Sequence, residues 1–222
     1  MIKTKSEILF ERFCQENGMA CEKIAVSLSK TADYEIKVKS KTMICEVKEL
    51  TPNAEDKRLR KELDEKGSTG IHERKISGRL SKKIMKAAEK LKQYKNRNVP
   101  LIVAFYDNIL FNGGRVQKTI DRRDIDQAMY GIDTGYYLMS ARGIRFNGFR
   151  HGQNKRMTTT EKNYVSAVFV LKESDDGIKL EIYHNYFALF KIDMSVFNFP
   201  NIRQFYHKNE PGKCSVNDLV CV

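Results

Sequence analysis

The chain lacks the usual marks of an extracellular, zinc-held or membrane-spanning protein. Its five cysteines (Cys14, Cys21, Cys45, Cys214, Cys221) are odd in number and include no CxxC pair. Four histidines are scattered through 222 residues, too few and too dispersed for a zinc-ligand cluster. The longest apolar runs, such as Val165–Leu171 and Val99–Tyr106, are far too short to cross a bilayer. A secretory signal is not expected, because Glu7, Glu11 and Arg12 interrupt the stretch after the basic start. A reduced, cytoplasmic protein with no membrane partner is the expectation. Acidic residues are also in deficit: 28 Asp and Glu stand against 40 Lys and Arg, a formal charge of +12.

With 41% hydrophobic and 31% charged residues, the composition excludes a largely disordered or collagenous chain. The length suits one large domain with its own core. The positive surplus favours a polyanionic partner, nucleic acid before membrane. It is concentrated: residues 51–99 hold 15 Lys and Arg against 7 Asp and Glu.

Periodicity predicts a helix over Ser6–Asn17, with Ile8, Leu9, Phe13 and Cys14 as its apolar face, stopped at Gly18. Strands are expected at Ile24–Leu28, Asp33–Val38 and Thr42–Glu49, the last two joined by a turn at Lys39-Ser40-Lys41. Residues 51–77 read as a charged insertion with a short helix near Ala54–Lys66. A second helix over Arg79–Tyr94 carries an apolar stripe of Leu80, Ile84, Ala87, Ala88 and Leu91, with Arg79, Lys82, Lys83, Lys86 and Lys90 on another face. The buried strand Leu101–Tyr106 comes next. In the second half, a helix is expected over Ile120–Tyr130 and strands at Val165–Leu171 and Ile178–His184. Residues 143–157 read as a glycine-rich basic loop, equally suited to a phosphate backbone or to solvent. The expected fold is α/β, a mixed central sheet of about five strands flanked by helices. Its core lies over residues 4–106, and 107–222 form a C-terminal elaboration of one domain.

The chemistry concentrates in Thr31-Ala32-Asp33-Tyr34-Glu35-Ile36 and Ile44-Cys45-Glu46-Val47-Lys48-Glu49-Leu50. In a strand, Glu46 and Lys48 share a face, and Asp33 opens the strand before. A hairpin would bring its carboxylate beside Glu46. Two converging carboxylates repel unless a cation lies between them, and hard oxygen ligands suit Mg²⁺ or Mn²⁺. Lys48 would then orient the nucleophile and offset charge developing on phosphorus. Taken alone, Glu-x-Lys on a strand is most often a surface ion pair.

The ordered set resembles the PD-(D/E)xK, or restriction-endonuclease-like, nuclease superfamily. Asp33 and Glu46-Val47-Lys48 match its motif, and Glu7 falls where members carry a helical Glu. The spacing is similar to that of archaeal Holliday junction resolvases. Three departures stand out: Ala32 replaces the proline before the motif Asp, residues 51–77 are inserted, and the C-terminal half has no counterpart in compact resolvase cores. The resemblance implies a restriction-endonuclease-like core and metal-dependent hydrolysis of DNA. Asp33, Glu46, the Val47 carbonyl and Glu7 would hold Mg²⁺ or Mn²⁺, and Lys48 would activate water. Arg79, Lys82, Lys83 and Lys86 would face phosphate. RNA stays open as a substrate, and pairing into homodimers is common among such relatives. The alternative is a nuclease-like fold kept for nucleic-acid binding or assembly without cleavage. Glu11, four residues after Glu7, is a second candidate helix acid.

Overall fold

A computed structural model describes residues 3–25, 31–67, 76–108, 120–140, 143–153, 155–174, 176–210 and 219–221. Helix α1 (Lys5–Glu16) opens with a capping box in which Thr4 accepts from the Glu7 N–H and the Glu7 side chain accepts from the Thr4 N–H. It ends before Gly18, whose φ of +64° favours glycine. Leu9, Phe10, Phe13 and Cys14 are its buried face. Ile8, expected in that stripe, is 52% exposed.

Strands β1 (Ala20–Lys23), β2 (Tyr34–Val38) and β3 (Lys41–Leu50) form an antiparallel meander, with Tyr34 opposite Cys45 and Lys23 opposite Tyr34. The first strand therefore lies ahead of the expected Ile24–Leu28, of which 26–28 fall outside the described residues. Strand β4 (Leu101–Asp107) runs parallel to β3, pairing Glu46 with Val103 and Lys48 with Phe105. A parallel pair needs a crossover. The charged stretch after β3 supplies it as α2 (Ala54–Lys66) and α3 (Ile76–Leu91). Arg79 of α3 is tied back to α2 and β3, donating to Asp56 at 2.7 Å and to the Thr51 carbonyl at 2.5 Å.

The second half extends the same sheet. After α4 (Arg122–Tyr130), β5 (Ile132–Ser140) and β6 (Gly143–Gln153) pair as a separate two-stranded ribbon, so most of 143–157, expected as a basic loop, is strand. Arg142, the basic residue that precedes this stretch, lies outside the described residues. Strand β7 (Val165–Ser174) is parallel to β4 and antiparallel to β8 (Gly177–His184). Strands β9 (Ile202–His207) and β10 (Leu219–Cys221) complete the edge. The mixed sheet has eight strands in the order β1-β2-β3-β4-β7-β8-β9-β10, rather than about five. The additional strands β1, β9 and β10 are short, and Arg203 and Gln204 interrupt β9, so they carry little apolar alternation.

Helices cover both faces, which is why Leu101–Tyr106 is buried without a break. On one face α1 packs with Tyr34, Met43, Cys45 and Val47. On the other, Leu80, Ile84, Ala87, Ala88 and Leu91 of α3 pack with Ile44, Leu50, Val103 and Phe105, beside Ile125 and Ala128 of α4. Alternation along β3 then turns Glu46 and Lys48 toward α3.

Candidate functional site

Glu46 is a wholly buried acid in the middle of a sheet. Burial of an ionised carboxylate is costly without partners, and two lysines answer it. Lys48, two residues along β3, donates to Glu46 Oε1 and also approaches the Val47 carbonyl at 3.3 Å. Lys90, from the last turn of α3, places its Nζ 2.7 Å from the same Oε1. Burial pushes the Glu46 pKa up and Asp33 adds to that, while Lys48 and Lys90 pull against it; the net direction is upward. Glu46 Oε2 is buried and accepts no hydrogen bond.

Asp33 sits at the entrance to β2. Its Oδ2 accepts from the Val47 N–H at 2.8 Å, and its Oδ1 lies 3.9 Å from Lys90 Nζ. The Val47 peptide is thus used on both sides: its N–H fixes Asp33, and its carbonyl faces Lys48. Burial would lower the Lys90 pKa, but Glu46 and Asp33 outweigh it and leave it above the ordinary lysine value. Asp33, Glu46 and Lys48 are therefore brought together as the sequence spacing implies.

Glu7 is not brought into this group. Its carboxylate completes the Thr4 cap and pairs with Lys23 at 2.6 Å. Lys23 in turn lies over the Tyr34 ring, 5.8 Å from its centroid, on the α1 face of the sheet. Burial would raise the Glu7 pKa, but the Lys23 and Thr4 hydrogen bonds bring it down to about 2. Glu11 is likewise engaged, accepting from Tyr34 Oη at 2.9 Å and pairing with Lys3 at 2.6 Å. Among the described residues no group of three or more His, Cys, Asp or Glu is placed to hold a metal ion. The two-carboxylate pair still fits a hard divalent cation. It presents a buried oxygen with no hydrogen bond, and magnesium commonly takes one or two carboxylates with water and phosphate filling the rest.

The basic face of α3 divides into three. Arg79 is occupied by Asp56 and Thr51. Lys82 and Lys86 are exposed. Lys83 is half-buried, and burial first, then the charges of Lys48 and Arg79, lower its pKa. Lys90 is the residue whose contact the sequence did not reveal. It comes seven positions after Lys83, which at 3.6 residues per turn returns to nearly the same face, but only the packing of α3 shows that it reaches Glu46. Cys45 points away from Glu46 into the α1-face core. His184 bonds Gln204 at 2.9 Å, and Asn185 donates to the Val165 carbonyl at 2.7 Å; both are engaged within the fold.

No protein-family model matches the chain, and neither the curated proteins nor the solved structures contain a significant match.

Proposed function

We propose that this chain is a divalent-metal-dependent nuclease that hydrolyses DNA phosphodiester bonds, built on a restriction-endonuclease-like core. The observation that carries the proposal is the Asp33–Glu46 pair: two carboxylates, one just ahead of β2 and one within β3, that share the Lys90 ammonium, with Lys48 two residues beyond Glu46 and a buried Glu46 oxygen left without a hydrogen bond. The order of elements supports it as well. A helix, three antiparallel strands, two helices of which the second carries the basic face, and a strand parallel to the third succeed one another, with Asp33 and Glu46-Val47-Lys48 at the second and third strands.

Asp33 and Glu46 would hold Mg²⁺ or Mn²⁺. When bound, the ion would supply acidity to a coordinated water and neutralise charge on the phosphate. The chain's own groups do the rest. The Val47 N–H keeps Asp33 oriented, so one carboxylate oxygen stays directed at the site. Lys48 is held beside the pair by Glu46 and the Val47 carbonyl. From there its ammonium can align the attacking water and stabilise the negative charge that grows on the phosphoryl oxygens. Lys83, whose pKa the Lys48 charge helps to lower, is a further cation on α3, and the exposed Lys82 and Lys86 extend the positive face along the helix. Contacts of this type hold a phosphate backbone without reading bases.

The test is incubation of plasmid, linear, single-stranded and branched DNA, with RNA in parallel, in Mg²⁺ or in EDTA. Cleavage of at least one DNA substrate that stops in EDTA is expected. Binding without cleavage under every metal condition would instead make the chain a nucleic-acid-binding module.

A further inference from the structure

Lys90 stands between the two carboxylates. Its ammonium lies 2.7 Å from Glu46 and 3.9 Å from Asp33, bridging the two carboxylates from a different element than either. We propose that Lys90 is a tethered placeholder cation: it holds the Asp33–Glu46 pair together while no divalent ion is present, and it yields that position when the ion binds. The inference rests on the metal-dependent reading above and assigns a positioning role to a residue outside the sequence motif.

Charge and tether both point this way. Asp33, Glu46, Lys48 and Lys90 sum to zero, the balance that a fully buried Glu46 requires in the absence of other ions. A divalent ion added to that set would leave two excess positive charges crowded around the two carboxylates. Release of one lysine removes half of that excess, and a bound phosphodiester removes the remainder. Lys90 is the lysine able to leave. Its side chain is 32% exposed, so a path to solvent exists. Its four-carbon stem is flexible and its ammonium makes no planar, bidentate lock. Lys48 is held additionally by the Val47 carbonyl. The acceptors would not collapse on its departure, because Asp33 stays anchored to the Val47 N–H and Glu46 to Lys48.

The test is calorimetric titration of Mn²⁺ into the full chain as wild type, Lys90→Met, Lys83→Met and Asp33→Asn, each checked for folding by circular dichroism. Lys83→Met removes the same charge from the same helix face without touching either carboxylate. Lys90→Met is expected to bind Mn²⁺ about tenfold more tightly than wild type, a coupling of ordinary size between two competing groups. Lys83→Met is expected to stay within about twofold, below the usual range of such couplings. Equal or weaker binding by Lys90→Met, with wild type binding and Asp33→Asn not, would overturn the placeholder and leave the metal site standing. Equal tightening in Lys83→Met would also overturn it, since a general field effect would then suffice. Absence of Mn²⁺ binding in wild type would overturn both. If Lys90→Met does not fold, Lys90→Arg decides. A charge with a better carboxylate fork should weaken Mn²⁺ binding, and unchanged affinity in that variant would overturn the inference.

Discussion

Asp33 Oδ2 accepts a hydrogen bond from the Val47 backbone N–H at 2.8 Å, so the acid that opens β2 is fastened to the middle residue of Glu46-Val47-Lys48. This bond joins the two halves of the motif and separates two duties of Asp33, one structural and one electrostatic. Asp33→Asn keeps an acceptor oxygen and should leave stability within about 1 kcal/mol of wild type, whereas Asp33→Ala should lose about 1.5–3 kcal/mol, the usual value for a hydrogen bond to a charged group. Urea denaturation of the three proteins measures this. Equal stability of Asp33→Ala and wild type would show that the bond contributes nothing to holding the strands.

Lys48 is expected to act in the transition state more than in binding. Lys48→Ala should still bind duplex and metal but cleave at least ~100-fold more slowly, the scale for losing one electrostatic stabiliser. Single-turnover cleavage alongside duplex affinity in Ca²⁺ separates the two effects. Turnover close to wild type would reduce Lys48 to the structural partner of Glu46.

Along α3, Lys82 and Lys86 are exposed while Arg79 is consumed by Asp56 and Thr51. The salt dependence of duplex binding should therefore flatten by about two units of log–log slope in Lys82→Ala/Lys86→Ala, one for each lost phosphate contact. Arg79→Ala should barely change the slope and should loosen α2 instead. Parallel slopes for wild type and the double variant would mean that this face is merely hydrated.

Much of this was legible from periodicity. The apolar stripe of α3 and the unbroken apolar run of β4 are strong signals, and both elements fall close to their expected limits. The ribbon β5–β6 was not legible, because Gly135, Gly143, Gly148 and Gly152 break any alternation and read as loop. Strands β9 and β10 depend on pairing with distant neighbours rather than on their own pattern. Within the site, the strand period alone placed Glu46 beside Lys48. Lys90 could not be assigned in the same way, since the rotation of a helix on a sheet is set by the packing of Ile84, Ala87 and Leu91. Glu7 offered a signal that points away from chemistry: Thr4-Lys5-Ser6-Glu7 has the form of a capping box, and the cap is what its carboxylate makes.

That cap carries a pH dependence. Glu7 has a folded pKa of about 2 against an ordinary value of 4.5, so it binds fewer protons in the folded state than in the unfolded one between those values. Its contribution is complete above pH 4.5 and is lost as pH falls toward 2, with a size of the order of 2 kcal/mol. Glu7→Gln should be less stable than wild type at neutral pH, and the two should converge at the acid end of that window. Denaturation midpoints across that range test it; a constant gap at every pH would contradict the ion pair with Lys23 as its source.

The central claim is that Asp33 and Glu46 together form a divalent-metal site, and its most direct measurement is Mn²⁺ binding to wild type and to Glu46→Gln at neutral pH. Glutamine keeps the shape of the buried side chain while removing its charge, so a folded variant isolates the ligand role. One Mn²⁺ per chain in wild type and none in folded Glu46→Gln is the expected result. Equal Mn²⁺ affinity in the two proteins would contradict it.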